Sequence, residues 1–126
     1  MRLALLALLM LAGPNPVARP SIELHISPLV AFAPAVVGGW AKVTDPGAAL
    51  ACSEVLWTWG DGCTSKRVPE CDPYALHEDA PREWILHAPR HTYISPGEWL
   101  IQVEVSNGRV RVAATQVVQI MSGIEG

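Results

Sequence analysis

Charge of either sign is scarce in this sequence. Only 17% of the 126 residues are charged and nine are Lys or Arg, for a net charge of -3. The closest basic cluster is the pair Lys66 and Arg67, so the chain lacks the clustered positive surface that displaces counterions from nucleic-acid phosphates. Half of the residues are hydrophobic, which excludes intrinsic disorder. We therefore expect a globular protein with no nucleic-acid partner.

Hydrophobic runs are too short for a stable membrane span. The longest is Leu3–Ala12, with ten residues, whereas a spanning helix needs about 20. Arg2 precedes this run and helix-breaking glycine and proline follow it, which is typical of an export signal. We predict that residues 1–18 are a signal peptide, that residues 19–126 are one mature domain, and that the protein is secreted or periplasmic. An uncleaved apolar tail is the alternative.

Cysteine is also rare, with three residues in the chain. Cys52 precedes a tryptophan-rich strand and Cys63 follows it, so a straight strand would hold these two thiols apart. We therefore predict a disulfide between Cys63 and Cys71, which bracket a short loop, and leave Cys52 either as a buried thiol or as an intermolecular partner. Closing that loop would stabilise the fold by about 2.5 kcal/mol. A CxxC-type zinc or redox spacing is absent.

Long helices are disfavoured by eleven prolines and ten glycines. What is present instead is alternation of apolar and polar residues, which indicates half-buried strands. The clearest strand is Trp99–Ser106, and Asn107-Gly108 after it predicts a two-residue hairpin turn. About seven short strands separated by turns predict an all-β sandwich. The mature length suffices for one such core and not for two.

Two motifs resemble those of a known family. Residues 57–62 read Trp-Thr-Trp-Gly-Asp-Gly and are similar to the W-D-F-G-D-G signature of polycystic kidney disease (PKD) domains. Residues 91–99 read His-Thr-Tyr-Ile-Ser-Pro-Gly-Glu-Trp and resemble that family's H-T-Y-x-x-P-G-x-Y. The resemblance, to PKD domains of bacterial secreted proteins, implies an immunoglobulin-like, seven-stranded β-sandwich. Thr58 replaces the usual acidic residue, which weakens any carry-over of the calcium binding of some relatives.

The motif residues have structural roles that physical chemistry explains. The two indoles are expected to fill the core, an aspartate between glycines to tie down a tight loop, and a corner tyrosine to bond the backbone across a bend. The predicted structural residues are Trp57, Trp59, Gly60, Asp61, Gly62, His91, Tyr93, Pro96 and Gly97.

Catalytic and metal sites are not expected. His77, His87 and His91 could form a metal site with Asp72, Glu78 or Asp79, but their spacing matches no known ligand pattern. No G-x-S-x-G sequence occurs, and the serines are isolated. We therefore predict that the protein is not an enzyme and binds no metal or cofactor.

A non-catalytic extracellular interaction module is the predicted function. Trp40 and Trp84 are the least constrained tryptophans, and together with the irregular segment 63–90 they are the candidate binding residues, because an exposed indole can anchor a protein interface or stack on sugars. We expect a protein partner at the cell surface. The alternatives are a carbohydrate-binding module for a polysaccharide, and indoles that merely cover the edges of the core.

Overall fold

The structure is a computed structural model that describes residues 19–72 and 80–123. The predicted signal peptide lies outside the described residues, as do His77 and the acidic pair Glu78 and Asp79. Within the described ranges no helix is long and apolar enough to cross a membrane. Regular structure in these ranges consists of strands alone.

Nine strands form in the described residues, two more than the predicted seven. The extra strands are short pieces at sheet edges. In chain order the strands are β1 Ser21–Ser27, β2 Val30–Phe32, β3 Ala35–Thr44, β4 Glu54–Thr58, β5 Thr64–Arg67, β6 Glu83–His87, β7 His91–Tyr93, β8 Gly97–Ser106 and β9 Arg111–Met121.

The strands form two sheets that pack face to face. The first sheet has the order β1-β3-β6, and β7 pairs with the other end of β3. The second sheet has the order β2-β9-β8-β4-β5. All pairs are antiparallel except β2 with β9. The predicted immunoglobulin-like β-sandwich is thereby confirmed.

Alternation along the strands builds the core between the sheets. On β8 the side chains of Ile101, Val103 and Val105 are buried, whereas Leu100 on the opposite face is half exposed. A strand turns successive side chains to opposite faces, so β8 supplies three core residues from a single face. The core also contains Ile26, Ala35, Val37, Ala41, Val43, Leu50, Val55, Trp57, Trp59, Tyr93, Val118 and Ile120.

A buried carboxylate organises the connection from β3 to β4. Asp45 is fully buried, and its Oδ1 and Oδ2 accept hydrogen bonds from the backbone N–H groups of Ala49 at 2.9 Å and Leu50 at 2.8 Å. Both oxygens therefore have partners, which buried polar groups require. The turn thus folds back and places Leu50 in the core.

The hairpin between β8 and β9 differs from the prediction. Ser106 pairs with Arg111, so the connection has four residues rather than two. Only Gly108 in it has positive φ. The Asn107 Oδ1 accepts hydrogen bonds from the N–H groups of Arg109 and Val110. Asn107 thus acts as a side-chain cap for a wider turn.

The disulfide prediction is wrong in its pairing. The structure joins Cys52 to Cys71, with Cα atoms 5.9 Å apart, and leaves Cys63 as an exposed free thiol. The cause is β5, which runs antiparallel to β4 and places Arg67 opposite Val55. The chain beyond β5 therefore returns to the end of β4 where Cys52 lies. Cys63 stands at the other end, in the β4–β5 turn.

Candidate functional site

The first motif forms a tight turn between β4 and β5. The Trp59 N–H donates to the Cys63 carbonyl over 3.1 Å, which closes the loop. Gly60 has φ +90°, and a Cβ built there would lie 2.7 Å from the Leu100 carbonyl oxygen. Gly62 has φ +94° and faces open space. Glycine is therefore required at position 60 both by conformation and by the close approach of β8.

Tyr93 fastens this turn to β7. Its hydroxyl donates to the Trp59 carbonyl over 2.6 Å, and the side chain is 1% exposed. Burial, followed by the negative charge of Asp61, raises the pKa of Tyr93 above its ordinary value. The hydroxyl therefore stays protonated and remains a donor. This bond links residues 34 positions apart in sequence.

Asp61 and His91 join the two motifs directly. The His91 Nε2 lies 2.7 Å from the Asp61 Oδ2, and the Asp61 Oδ1 accepts the Cys63 N–H over 3.1 Å. Burial acts to raise the pKa of Asp61, but the hydrogen bonds from His91 and Cys63 outweigh it and lower the pKa below its usual value. Because an ionised carboxylate only accepts hydrogen bonds, the proton between these groups belongs to Nε2.

Five aromatic rings connect the two motifs through the interior. Trp57 stacks on Trp59 with centroids 5.9 Å apart, and Trp59 stacks on His91 at 4.7 Å. His91 meets Tyr93 edge-on at 4.7 Å, and Tyr93 stacks on Trp99 at 5.8 Å. Such offset and edge-to-face contacts each contribute about 0.5–1.5 kcal/mol beyond area burial. The ring series therefore couples β4, β7 and β8.

The Pro-Gly pair lies at the start of β8. Pro96 is exposed, and Gly97 opens the strand under the Trp99 ring, where a Cβ would stand 3.0 Å from the indole. The Trp99 Nε1 donates to the Ser95 carbonyl over 3.2 Å. The indole thus folds back over its own turn and is only partly buried.

Cys63 adds a third polar group beside Asp61 and His91. One donor atom from each of these residues lies within 4.8 Å of the others. Among the described residues, these three side chains therefore form a cluster that could hold a metal ion. Desolvation, and then the charge of Asp61 with its hydrogen bond, raises the pKa of the Cys63 thiol. An activated nucleophile requires the opposite shift. The sequence prediction passed over Cys63 because it assigned this residue to a disulfide.

Trp40 lies on the outer face of the first sheet. It is 38% exposed, and its ring stacks on His25 of β1 with centroids 4.1 Å apart. His87 of β6 is its Cα partner on the other side. We call this surface the Trp40 face. It comprises Glu23, His25, Trp40, Lys42, Ile85 and His87.

Trp84 points the other way, towards the core. It pairs with the buried Val43, is partly buried, and packs against the core cluster. Trp84 also lines a cavity of about 410 Å³ together with Val55 and Leu86. The two candidate tryptophans are therefore on opposite faces of one sheet. Of the candidate segment 63–90, residues 73–79 lie outside the described residues.

Sequence reasoning assigned no role to His25, which sits on the polar face of β1. Its contact with Trp40 follows from the pairing of β1 with β3, in which His25 and Trp40 are partners. Alternation identifies each strand and the face of each residue, but it does not identify which strands pair. No signal in the sequence alone marks this contact.

Comparison with known families agrees with this geometry. The model of the PKD domain matches residues 29–120, a range that includes both motifs and strands β2 to β8 in full. A search of curated proteins finds no match. The family match covers well over half of the chain, and the β4–β5 turn, the corner tyrosine and strands of both sheets lie inside it. The chain therefore belongs to the PKD domain family of extracellular, immunoglobulin-like modules.

Proposed function

We propose that this protein is a secreted, non-catalytic interaction module that binds a protein partner through the Trp40 face. The observation that carries the proposal is Trp40 itself, an indole 38% exposed in the middle of a ten-residue strand. Tryptophan is enriched among the residues that dominate protein interfaces. A strand paired on both sides presents it without an ordering cost.

The surroundings of Trp40 have the layout of an interface. Ile85 on the neighbouring strand is 44% exposed and adds apolar area. Polar groups flank this area, with the Lys42 Nζ 3.6 Å from the Glu83 carboxylate and the His25 Nε2 2.7 Å from the Glu23 carboxylate. Protein interfaces combine an apolar centre with a polar rim in this way.

A protein partner fits this surface better than a polysaccharide. His25 stacks on Trp40 at 4.1 Å and so covers one face of the indole. Trp84 is on the inner face of the same sheet, where it packs against the core. The two indoles therefore form no common platform for sugar rings, which the carbohydrate-binding alternative needs.

The contacts of Asp61, Cys63 and His91 beside the β4–β5 turn support a non-catalytic role. The His91 imidazole is committed to Asp61 at 2.7 Å, and the pKa of the Cys63 thiol is raised by desolvation and by Asp61. Covalent catalysis by cysteine depends on a lowered pKa or an adjacent free base. The contacts of these three residues therefore favour a structural role over nucleophilic chemistry.

The test compares two exposed apolar residues on opposite sheets. Trp40→Ala removes the proposed anchor, and Leu100→Ala is the matched control because Leu100 is 50% exposed on the outer face of the second sheet. We expect Trp40→Ala to reduce quantitative capture of the partner from envelope extracts by about 30-fold, as loss of a hot-spot residue does. Leu100→Ala should retain capture. Equal capture of the partner by both variants contradicts the proposal. If Trp40→Ala loses binding to cell-wall glycan but still captures the protein partner, the carbohydrate alternative is supported.

A further inference from the structure

Three side chains from the two motifs meet beside the β4–β5 turn. They are the carboxylate of Asp61, the thiol of Cys63 and the imidazole of His91, and their donor atoms all lie within 4.8 Å of one another. The three offer oxygen, sulfur and nitrogen, the ligand atoms of protein zinc sites. None of them belongs to the Trp40 face.

The surrounding structure holds these donors in place. The side chain of His91 is 15% exposed, and its ring is fixed between Trp59 and Tyr93, each 4.7 Å away. This contact points Nε2 at Asp61. The Asp61 Oδ1 accepts the Cys63 N–H at 3.1 Å, which turns Oδ2 towards the His91 Nε2, 2.7 Å away. Two of the three ligand atoms are thus oriented before any ion arrives, as metal sites require.

The spacing of the donors suits a small tetrahedral ion. Zinc bonds of roughly 2.0–2.3 Å keep tetrahedral ligand atoms about 3.3–3.7 Å apart. The His91 Nε2 and the Asp61 Oδ2 are 2.7 Å apart, so they must separate by about 1 Å or less to admit an ion at such distances. The largest donor separation, within 4.8 Å, must contract by a similar amount. Side-chain rotation of the exposed Cys63 can supply this contraction.

The chemistry of the donors selects the ion. Calcium and magnesium take oxygen ligands, whereas thiolate and imidazole together favour zinc and its neighbours. We propose that Asp61, Cys63 and His91 bind one Zn²⁺ ion, with the fourth position open to solvent. On binding, the Cys63 thiol releases its proton to solvent, and the His91 proton shifts from Nε2 to Nδ1 so that Nε2 can donate its lone pair.

The disulfide is what makes the thiol available. Cys52 and Cys71 are bonded to each other, so Cys63 is the free cysteine of the three in the chain. The thiol is also exposed, which gives an ion a path from solvent. The proposed site was not predicted from the sequence, because Cys63 was there assigned to a disulfide.

The experiment titrates the purified, disulfide-intact protein with Co²⁺ and then displaces it with Zn²⁺. We expect one Co²⁺ per chain, a thiolate-to-cobalt charge-transfer band in the near ultraviolet, and loss of the band when Zn²⁺ is added. Zn²⁺ should also protect Cys63 from alkylation by iodoacetamide, as measured by intact mass. A chain that binds no stoichiometric cobalt, or cobalt without the thiolate band, overturns the proposal.

Two conservative variants keep the test independent of folding. Cys63→Ser should abolish the charge-transfer band, and Asp61→Asn, whose amide oxygen can still accept the Cys63 N–H, should weaken Zn²⁺ binding by at least about tenfold. Glu98→Gln makes the same acid-to-amide change at an exposed position of β8 and should bind as the parent does. Circular dichroism establishes that each variant is folded. Unchanged Zn²⁺ affinity in both Cys63→Ser and Asp61→Asn would show adventitious binding and refute the site.

Discussion

Gly60 shows how one residue can be required by two separate constraints. Its φ of +90° is costly for other residues, and its missing side chain admits the backbone of Leu100. Gly62 shares the first constraint, with φ +94°, but has open space around it. Comparing the two glycines therefore separates conformational strain from steric overlap.

We expect Gly62→Ala to lower the free energy of unfolding by about 1–2 kcal/mol, the cost of a left-handed residue. Gly60→Ala should lose about 1–3 kcal/mol more, because its Cβ overlaps the Leu100 carbonyl. Urea unfolding followed by tryptophan fluorescence measures both. If the two variants are equally stable, β8 does not approach the turn as closely as described.

Tyr93 contributes a single buried hydrogen bond that can be removed almost without changing volume. Tyr93→Phe leaves the Trp59 carbonyl without the partner it has at 2.6 Å, and we expect a loss of about 1–3 kcal/mol in unfolding free energy. Thr92→Val, at the exposed neighbouring position, is the control and should change stability by less than about 0.5 kcal/mol. If Tyr93→Phe is as stable as the parent, the hydrogen bond from Tyr93 to the Trp59 carbonyl does not stabilise the fold.

At the scale of elements, the β4–β5 hairpin determines the disulfide. Because β5 returns antiparallel along β4, it brings Cys71 to Cys52 across a sequence separation of 19. The bond therefore closes the hairpin at its open end, and Cys63 in the turn is left free.

Breaking this bond should be costly. We expect the Cys52→Ala, Cys71→Ala double variant to have a free energy of unfolding about 3 kcal/mol lower than the parent. This is the chain-entropy value for a loop of this length. Cys63→Ala should have little effect, since that thiol is exposed. Alkylation of the denatured, unreduced parent should label one cysteine, and peptide mapping should place the label at Cys63. A label on Cys52 would restore the original pairing.

The sequence predicts strands better than it predicts their partners. Alternation identifies β8 because one of its faces is buried, and Trp57 of β4 and Trp59 just after it lie in the core for the same reason. The β5 sequence, Thr-Ser-Lys-Arg, has no apolar alternation because it is an edge strand with little to bury. The sequence therefore does not predict that the chain returns along β4, and so it does not predict the Cys52–Cys71 pairing.

The geometry of the candidate sites is harder to predict from sequence than the strands are, because it depends on which residues of paired strands lie opposite each other. The family resemblance brought the two motifs into one fold, but the 2.7 Å contact of Asp61 with His91 joins residues 30 apart. Trp40 and Trp84 looked equivalent in sequence, and only the pairing of β3 with β6 separates the outward indole from the inward one. Polar residues on solvent faces, such as His25, carry no signal of their cross-strand partner.

At the scale of the whole molecule, the surface proposed for recognition is separate from the residues that hold the two sheets together. The motif residues between and beside them hold β4, β7 and β8 together through aromatic contacts and the Tyr93 bond. The Trp40 face lies outside that interior, on strands whose backbone is already paired. The chain can therefore present an apolar anchor without involving the residues that stabilise the sandwich.

Site-specific photo-crosslinking in cells that export the protein tests this division most directly. A photoreactive residue replaces Lys42 on the Trp40 face or, as the control, Thr115, which is exposed on the outer face of the second sheet. We predict a discrete polypeptide adduct from position 42 that disappears when Trp40→Ala is added, and none from position 115. An adduct from position 115 alone, or one from position 42 that persists without Trp40, would contradict recognition through this face.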